Sequence, residues 1–325
     1  MRAFTRRLPA IAAVAALAAV SAACSSTSAN SSSGTGSAAT SAGSGSAQGF
    51  PVTISTAAGK LHLTSRPTAI VSLAPTATEM LYAIGAASQV KAVDSLSDYP
   101  ANAPRTKLSA YQPNAEAIAA YKPDLVIITN DIGGIAAKLT ALSIPVLQLP
   151  ATPNVAGVYS EFTQLGAATG HATQARAEDQ KLRNDISQIV AAEAHHAKPL
   201  TYYYELGVQP YYSVTDSTFI GNLLSLLGMK SIADTATGAA AAGGYPSLSA
   251  EYILKANPDY IILSDTGPTG GGQSAATVIA RPGWSVLTAV KDRHIILLNA
   301  DIASRWGPRI VDLLQTVAAG IKSSS

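Results

Sequence analysis

Residues 114–129 read NAEAIAAYKPDLVIIT, and residues 249–264 read SAEYILKANPDYIILS. The two segments lie 135 positions apart and align without a gap, with identical Ala, Glu, Ile, Pro, Asp and Ile residues. Each pattern predicts a helix that begins at a capping residue, a Pro-Asp break and then a buried strand. One such unit in each half of the chain predicts two lobes built on related α/β plans.

Short apolar runs alternate with helical stretches on either side of these segments, which indicates an α/β protein. Continuous apolar runs are typical of parallel strands that are covered on both faces. Three such runs are candidate strands: residues 69–73, 125–128 and 146–149. Thr76 precedes Glu79 by three residues, which predicts a capping box at the start of a helix that ends at Gly85.

A long segment between the halves, residues 171–198, contains neither Pro nor Gly. Its apolar residues Leu182, Ile186 and Ile189 recur at helical spacing, which predicts a helix with one apolar stripe. The predicted fold class is therefore α/β, with two three-layer lobes that have mainly parallel central sheets and are joined by one long rigid α-helix. The predicted boundaries are 50–168 for the N-terminal lobe, 169–198 for the connecting helix and 199–325 for the C-terminal lobe.

The N-terminus has the features of an export signal. Arg6 and Arg7 precede an apolar run, residues 8–20, which is shorter than the roughly 20 residues that cross a bilayer. Small residues then lead to Cys24, the one cysteine in the chain. This pattern predicts a signal peptide at 1–23 and lipidation of Cys24; the alternative is an ordinary secreted protein with a free thiol. Export by the general or the twin-arginine route remains open.

Residues 24–49 are predicted to form the lipidated cysteine and a flexible tether, because Ser, Gly, Ala and Thr dominate them and they have little to bury. A net charge of +2 is too small to indicate nucleic-acid binding. Apart from the adjacent His195 and His196, the five histidines show no metal-ligand spacing, and no nucleophile or phosphate-binding motif is present. The composition therefore favours a binding protein over an enzyme.

Several motifs in this order resemble the helical-backbone class (class III) of ABC-transporter substrate-binding proteins, the family for vitamin B12, ferric siderophores and haem. The resemblance covers residues 51–322. It is carried by RPTAIVSLAPTATEMLYAIGA (66–86), SDYP (97–100), YQPNAEAIAAYKPDLVI (111–127), the long helix, YPSLSAEYILKANPDYII (245–262) and RWGPRIVDLL (305–314). It implies a monomeric lipoprotein, anchored on the extracytoplasmic face of the cell membrane, that captures a metal chelate and delivers it to an ABC permease dimer and its ATPase subunits.

The resemblance also implies the functional residues. It places the ligand between the lobes, against Pro75, Thr76, Asp98, Tyr99, Tyr111, Tyr211, Tyr245, Asp301, Arg305 and Trp306. Glu116 and Glu251, the matched glutamates of the two repeated segments, are implied to dock on permease arginines. The alternative role for both is helix stabilisation, because each lies in a first helical turn where the helix dipole favours a carboxylate.

The ligand is left open among three kinds of chelate. Asp301 and Arg305 are four residues apart, as in cobalamin-binding members of the family, which favours a corrinoid. An anionic ferric siderophore instead calls for convergent arginines, for which Arg105, Arg281 and Arg305 are candidates; haem is the third alternative. No cofactor or protein metal site is expected, so any cobalt or iron belongs to the ligand. A lipoprotein that scavenges or senses without a transporter is the alternative of another class.

Overall fold

Two four-stranded parallel sheets form the framework of the protein in a computed structural model, which describes residues 49–193 and 197–322. All of these residues fall in one compact unit. The predicted signal peptide, Cys24 and the tether up to residue 48 lie outside the described residues.

The strands are β1 Val52–Thr56, β2 Gly59–Leu63, β3 Ile70–Leu73, β4 Val90–Val93, β5 Leu125–Ile128, β6 Val146–Gln148, β7 Leu200–Glu205, β8 Gly207–Val208, β9 Tyr211–Tyr212, β10 Met229–Ser231, β11 Ser247–Leu248, β12 Tyr260–Leu263 and β13 Ile295–Leu297. The helices are α1 Pro75–Ala83, α2 Ala115–Ala119, α3 Ile135–Ala141, α4 Val155–Thr169, α5 Ala172–Glu193, α6 Phe219–Ser225, α7 Ala250–Ala256, α8 Gly267–Gly270, α9 Ala275–Ile279, α10 Thr288–Lys291, α11 Ala300–Ala303 and α12 Ile310–Lys322.

The two large sheets have the same strand order. In the first sheet the order is β4-β3-β5-β6, and in the second it is β10-β7-β12-β13. All neighbours within each sheet are parallel. The third strand of each set, β5 or β12, comes from one of the two repeated segments and lies beside the first strand of its set. The prediction of two related α/β lobes with mainly parallel sheets is confirmed.

The repeated segments also match in backbone detail. Asn114 and Ser249 both occupy N-cap positions, and each side chain accepts a hydrogen bond from the backbone N–H three residues later. Lys122 and Asn257, which occupy equivalent places before the Pro-Asp break, both have left-handed backbone conformations, with φ of 51° and 47°. The likeness between the two sequences therefore reflects a shared path of the chain.

Apolar side chains cover both faces of each sheet. In β5, Leu125 and Ile127 belong to one cluster of buried residues, whereas Val126 and Ile128 belong to another on the opposite face. Strand β12 alternates in the same way between the first cluster and a third one around Trp284. Because side chains alternate across a strand, each lobe has helices on both sides of its sheet.

Helix α5 is shorter than the predicted helix. Thr169 ends the preceding helix α4, and Gly170, with φ of 73°, caps it in a left-handed conformation that glycine adopts readily. At 1.5 Å per residue, the 22 residues of α5 extend about 33 Å. Helices α4 and α12 pack against α5. The antiparallel β1–β2 hairpin and the small β8–β9–β11 sheet were not predicted.

Candidate functional site

A cavity of about 290 Å³ lies at the carboxyl ends of β3 and β5. The chain leaves β3 towards β4 and leaves β5 towards β6, on opposite sides of the sheet. This divergence makes the crevice a topological switch point, the position at which open α/β sheets bind ligands. The described residues that line the cavity are Leu73, Pro75, Thr76, Asp94, Leu96, Ala110, Tyr111, Pro113, Ile128, Thr129, Asn130, Ile132, Ile135, Asp301, Ser304, Arg305 and Trp306.

Six of the ten predicted ligand residues line this cavity. They are Pro75, Thr76 and Tyr111 from the N-terminal half of the chain, and Asp301, Arg305 and Trp306 from the segment that follows β13. Pro75 and Thr76 form the first turn of α1, where the chain turns away from β3. Tyr111 lies in the loop before α2, and 70% of its surface is exposed. The cavity therefore has walls from both halves of the chain.

Arg305 is tied to several acceptors. Its Nη1 donates to Glu79 Oε1 at 3.2 Å and to Asp98 Oδ1 at 2.8 Å. Its Nη2 donates to the Leu96 carbonyl at 2.8 Å and to Asp301 Oδ1 at 3.4 Å. Three of these acceptors belong to the N-terminal half. The predicted pairing of Asp301 with Arg305 is present in the geometry, but it is one contact among four.

Glu79 was not predicted as part of the site. The expected capping box at Thr76 was wrong: Ala74 is the N-cap of α1, and no side chain caps that end. The Glu79 side chain is instead fully buried and accepts from Arg305 and from two atoms of Arg309. The sequence feature that could have indicated this role is a glutamate among the apolar residues of α1, because a buried carboxylate requires a partner.

Asp98 and Tyr99 lie outside the cavity lining, but Asp98 contacts Arg305 and Tyr99 contacts Arg309. Burial tends to raise the pKa of the Asp98 carboxyl, yet the hydrogen bond and charge of Arg305 outweigh it and lower that pKa below its ordinary value. The Tyr99 ring stacks on the Arg309 guanidinium, with 4.1 Å between the guanidinium carbon and the ring centroid. The loop that follows β4 is thereby joined to the segment that precedes α12.

Trp306 makes a second polar contact between the two halves. Its indole Nε1 donates to both oxygens of Glu161 on α4, at 3.3 and 3.1 Å. Glu161 is buried. Loss of hydration raises the pKa of its carboxyl to about 7, although the Trp306 hydrogen bond acts in the opposite direction.

Asp94 forms part of the cavity wall at the end of a buried hydroxyl chain. Ser97 Oγ donates to Asp94 Oδ1 at 2.6 Å, and the Thr78 hydroxyl lies 3.1 Å from Ser97 Oγ. Asp94 Oδ2 is buried and has no hydrogen-bond partner among the described residues. Burial raises the pKa of this carboxyl, against the effects of Ser97 and Arg305. The wall of the cavity thus includes a poorly compensated carboxylate.

Tyr211 and Tyr245, two other predicted ligand residues, do not line this cavity. The Tyr211 ring packs against Trp284, with centroids 5.4 Å apart, and faces the guanidinium of Arg281. Tyr245 is about half exposed. Both belong to the C-terminal half near its small antiparallel sheet, and their use as ligand contacts stays a prediction.

The arginines considered for an anionic ligand do not all line the cavity. Arg305 does, whereas Arg105 and Arg281 do not. Arg281 donates to both oxygens of buried Glu205, at 2.6 and 2.7 Å, at the end of β7. Burial and the charge of Glu205 raise the pKa of nearby Asp265 to about 7. Arg281 therefore already compensates the buried carboxylate of Glu205 in this second charged cluster.

Glu116 and Glu251 occupy equivalent positions in the first turns of α2 and α7. Both are exposed. Hydrogen bonds from its own backbone amide and from Ser249 lower the pKa of the Glu251 carboxyl. These contacts are compatible with helix stabilisation and leave both carboxylates accessible to another molecule.

Metal-binding geometry is not found in the described part of the chain, where no three His, Cys, Asp or Glu side chains are grouped to hold an ion. Within residues 49–193 and 197–322, no helix has the length and apolar character needed to cross a membrane.

The sequence matches the model of the family described as periplasmic binding protein over residues 70–302. It is 30% identical to the vitamin B12-binding protein of Pectobacterium atrosepticum, over 78% of this chain and 88% of that protein. It is 28% identical to the uncharacterized ABC transporter substrate-binding lipoprotein YvrC of Bacillus subtilis, over 84% of this chain and 86% of that protein.

Solved structures give the same fold. The periplasmic vitamin B12 binding protein BtuF of Vibrio cholerae superposes with a TM-score of 0.65 at 25% identity, covering 79% of this chain and 97% of that chain. The periplasmic haem-binding protein BhuT, in complex with two haems, superposes with a TM-score of 0.69 at 20% identity, covering 78% of this chain and 98% of that chain.

Proposed function

This chain belongs to the periplasmic binding protein family, whose members bind solutes rather than catalyse reactions, and from that premise we propose that it captures a metal chelate outside the cytoplasm and delivers it to an ABC permease. The preferred chelate is a corrinoid such as cobalamin. The proposed lobes are residues 50–168 and 199–325, on either side of the connecting helix.

One observation carries the proposal: residues from both halves of the chain converge on a cavity at the switch point of the first sheet. At about 290 Å³ this cavity is smaller than a whole corrinoid, so it accommodates one edge of such a ligand. Large apolar side chains near the carboxyl ends of the strands are unusually exposed and offer further contact area. They are Leu96, Tyr99, Tyr111, Leu206, Tyr212, Tyr245 and Leu297.

The preference for a corrinoid rests on the relatives and on the site. The Pectobacterium relative is named as a vitamin B12-binding protein, at 30% identity over most of both chains. Asp301 and Arg305 lie together at the cavity, as the corrinoid interpretation requires. A ferric siderophore or haem, bound and delivered in the same way, is the alternative.

Delivery is proposed to use Glu116 and Glu251. The two carboxylates begin equivalent helices, follow equivalent N-caps and remain exposed. Exposed carboxylates on two related lobes are suited to charge-assisted pairing with arginines on the two halves of a permease dimer. Such a permease works with ATPase subunits, while the protein itself acts as a monomer.

Attachment to the membrane is proposed to occur through acylated Cys24, on the extracytoplasmic face. The relative from Bacillus subtilis carries the word lipoprotein in its name, which supports this part of the proposal. A Cys24→Ala variant is expected to leave the membrane fraction and appear in the soluble fraction. Retention of this variant in the membrane fraction would contradict lipid anchoring through Cys24.

The test of the function combines binding with uptake. Purified protein is titrated by calorimetry with cyanocobalamin, haemin and a panel of ferric siderophores, and uptake of each ligand that binds is compared in cells with and without the gene. Saturable cobalamin binding with gene-dependent uptake supports the proposal. Siderophore or haem binding without cobalamin binding favours the alternative ligands. Tight binding without any contribution to uptake would point to scavenging or sensing instead.

A further inference from the structure

The cavity and the side chains behind it carry more negative than positive groups. The carboxylates of Asp94 and Asp301 line the wall, and Glu79 and Asp98 contact Arg305 directly. Only two guanidiniums, those of Arg305 and Arg309, lie within these contacts. The cluster therefore has two more carboxylates than guanidiniums.

Arg305 is the one cation among the described residues that line the cavity. A guanidinium has five N–H donors, and four of those on Arg305 are directed at acceptors within the protein. Just 9% of its side-chain surface remains exposed. An anionic group on a ligand would have to compete with Glu79, Asp98 and Asp301 for this cation.

Acceptor capacity, in contrast, is plentiful. Asp98 and Asp301 each give Oδ1 to Arg305, while 37% and 43% of their side-chain surfaces are exposed. Asp301 lines the cavity, so its remaining lone pairs can accept N–H or O–H groups from a ligand, while Asp98 contributes its charge beside Arg305. Asp94 Oδ2, unpaired and buried in the cavity wall, adds further negative potential behind the surface.

We infer that this cleft discriminates by charge: it accepts uncharged or cationic chelates whose edge carries N–H or O–H donors, and it rejects chelates that present carboxylates or other anions. Asp98 and Asp301 are the specificity-determining residues, because both occupy Arg305 and because Asp301, in the cavity lining, offers an acceptor to the ligand. This inference rests on the proposed function, since it concerns the ligand of the same cleft.

A matched pair of corrinoids tests the inference. Dicyanocobinamide carries amides around the corrin ring, whereas dicyanocobyrinic acid carries carboxylic acids on the same ring. By calorimetry at pH 7.5 and low ionic strength, we expect the amide form to bind at least tenfold more tightly than the acid form. Added salt is expected to reduce this difference in affinity, because ions screen the repulsion between the carboxylates of the ligand and those of the cleft.

The role of Asp98 and Asp301 in this discrimination is tested with the double variant Asp98→Asn, Asp301→Asn, which removes two negative charges and keeps the size of both side chains. We expect its ratio of amide-form to acid-form affinity to fall at least tenfold. The single variant Asp301→Asn changes a more exposed position and is expected to lower the same affinity ratio. It replaces the double variant in this test if the double variant does not fold. Asp292→Asn is the control: Asp292 is exposed and precedes β13, at the edge of the second sheet opposite the carboxyl ends.

The outcomes separate this inference from the proposed function. Equal or tighter binding of the acid form, or an unchanged ratio in the double variant, would overturn charge discrimination while leaving chelate capture in place. Binding of haemin or an anionic siderophore without either corrinoid would do the same. If no chelate of either charge binds, the proposed function fails and the inference fails with it.

Discussion

Asp124 and Asp259 bind the start of a neighbouring strand in the same way in the two lobes. Asp124 Oδ2 accepts from the backbone N–H and the hydroxyl of Thr68 at 2.7 and 2.9 Å. Asp259 Oδ2 accepts from the same two groups of Thr201 at 2.8 and 2.6 Å. The Pro-Asp break of each repeated segment thus aligns a central strand with the strand beside it.

Removal of either aspartate is expected to destabilise the protein. Hydrogen bonds to charged groups contribute about 1.5–3 kcal/mol, so we predict that Asp124→Ala and Asp259→Ala each lower the free energy of unfolding by about 2 kcal/mol. Asp259→Ala should have the larger effect, because its partners are more buried. Urea denaturation measures both, and exposed Asp292→Ala is the control. A loss below about 0.5 kcal/mol in both variants would contradict the assigned role.

Glu79 is expected to be the most sensitive carboxylate in the cleft. Glu79→Ala leaves Arg305 and Arg309 without a shared buried partner, and loss of one member of a buried ion pair costs about 3–5 kcal/mol. The comparison is Asp185→Ala, which breaks an exposed pair with Lys181 and should cost no more than about 1 kcal/mol. Urea unfolding curves give both values, and similar losses in the two variants would show that the Glu79 cluster is not especially stabilising.

The protonation of Glu161 predicts a pH dependence of stability. Burial raises its pKa from 4.5 to about 7, so between these values the folded state binds more protons than the unfolded state. Stability contributed by this group therefore falls as pH rises from 4.5 to 7, by about 3 kcal/mol in all. We expect Glu161→Gln to lose this slope when unfolding free energies are measured across the range.

Asp216 and Asp265 also have raised pKa values, of about 6 and 7, and their titration lowers stability over the same pH range. Subtracting the unfolding free energy of Glu161→Gln from that of the wild type at each pH isolates the contribution of Glu161. Trp306→Phe provides a further check. The Trp306 hydrogen bond lowers the pKa of Glu161, so its loss should extend the falling slope to higher pH. Identical slopes in wild type and Glu161→Gln would show that Glu161 titrates normally.

Charge reversal at the proposed docking residues should separate binding from delivery. In the double variant Glu116→Lys, Glu251→Lys, we expect unchanged ligand affinity by calorimetry and at least tenfold slower uptake in cells, because like charges would face the permease arginines. Exposed Lys138→Glu on α3 is a control for charge reversal elsewhere on the surface. Normal uptake by the double variant would show that delivery does not depend on these glutamates.

The fold was largely predictable because its determining features are local. The repeated segments contain a cap, a break and a buried strand within 16 residues, and the structure reproduces β5 with the predicted bounds. The connecting helix was predicted from an apolar stripe, but its start was not, since the predicted bounds 169–198 include Thr169 and Gly170, which end helix α4. The β1–β2 hairpin was missed, because its Ala57-Ala58 turn lacks the Asn-Gly or Asp-Gly pair that is typical of two-residue hairpin loops.

The site was less predictable because its contacts join distant parts of the chain. Arg305 and Glu79 are 226 residues apart, and no local pattern indicates that they meet. Glu79 followed Thr76 at a spacing typical of a capping box, so a local interpretation was preferred to a tertiary one. Tyr211 and Tyr245 were chosen as loop aromatics, and sequence alone does not distinguish packing against Trp284 from contact with a ligand.

The polar contacts of Arg305, Arg309 and Trp306 with the opposite half have a consequence for movement between the two halves. Separation of Glu79 from both arginines would break all of its ion pairs at once, so these contacts resist any movement that parts the two halves. Under the proposed function, contact with the permease would have to offset these ion pairs before the chelate is released.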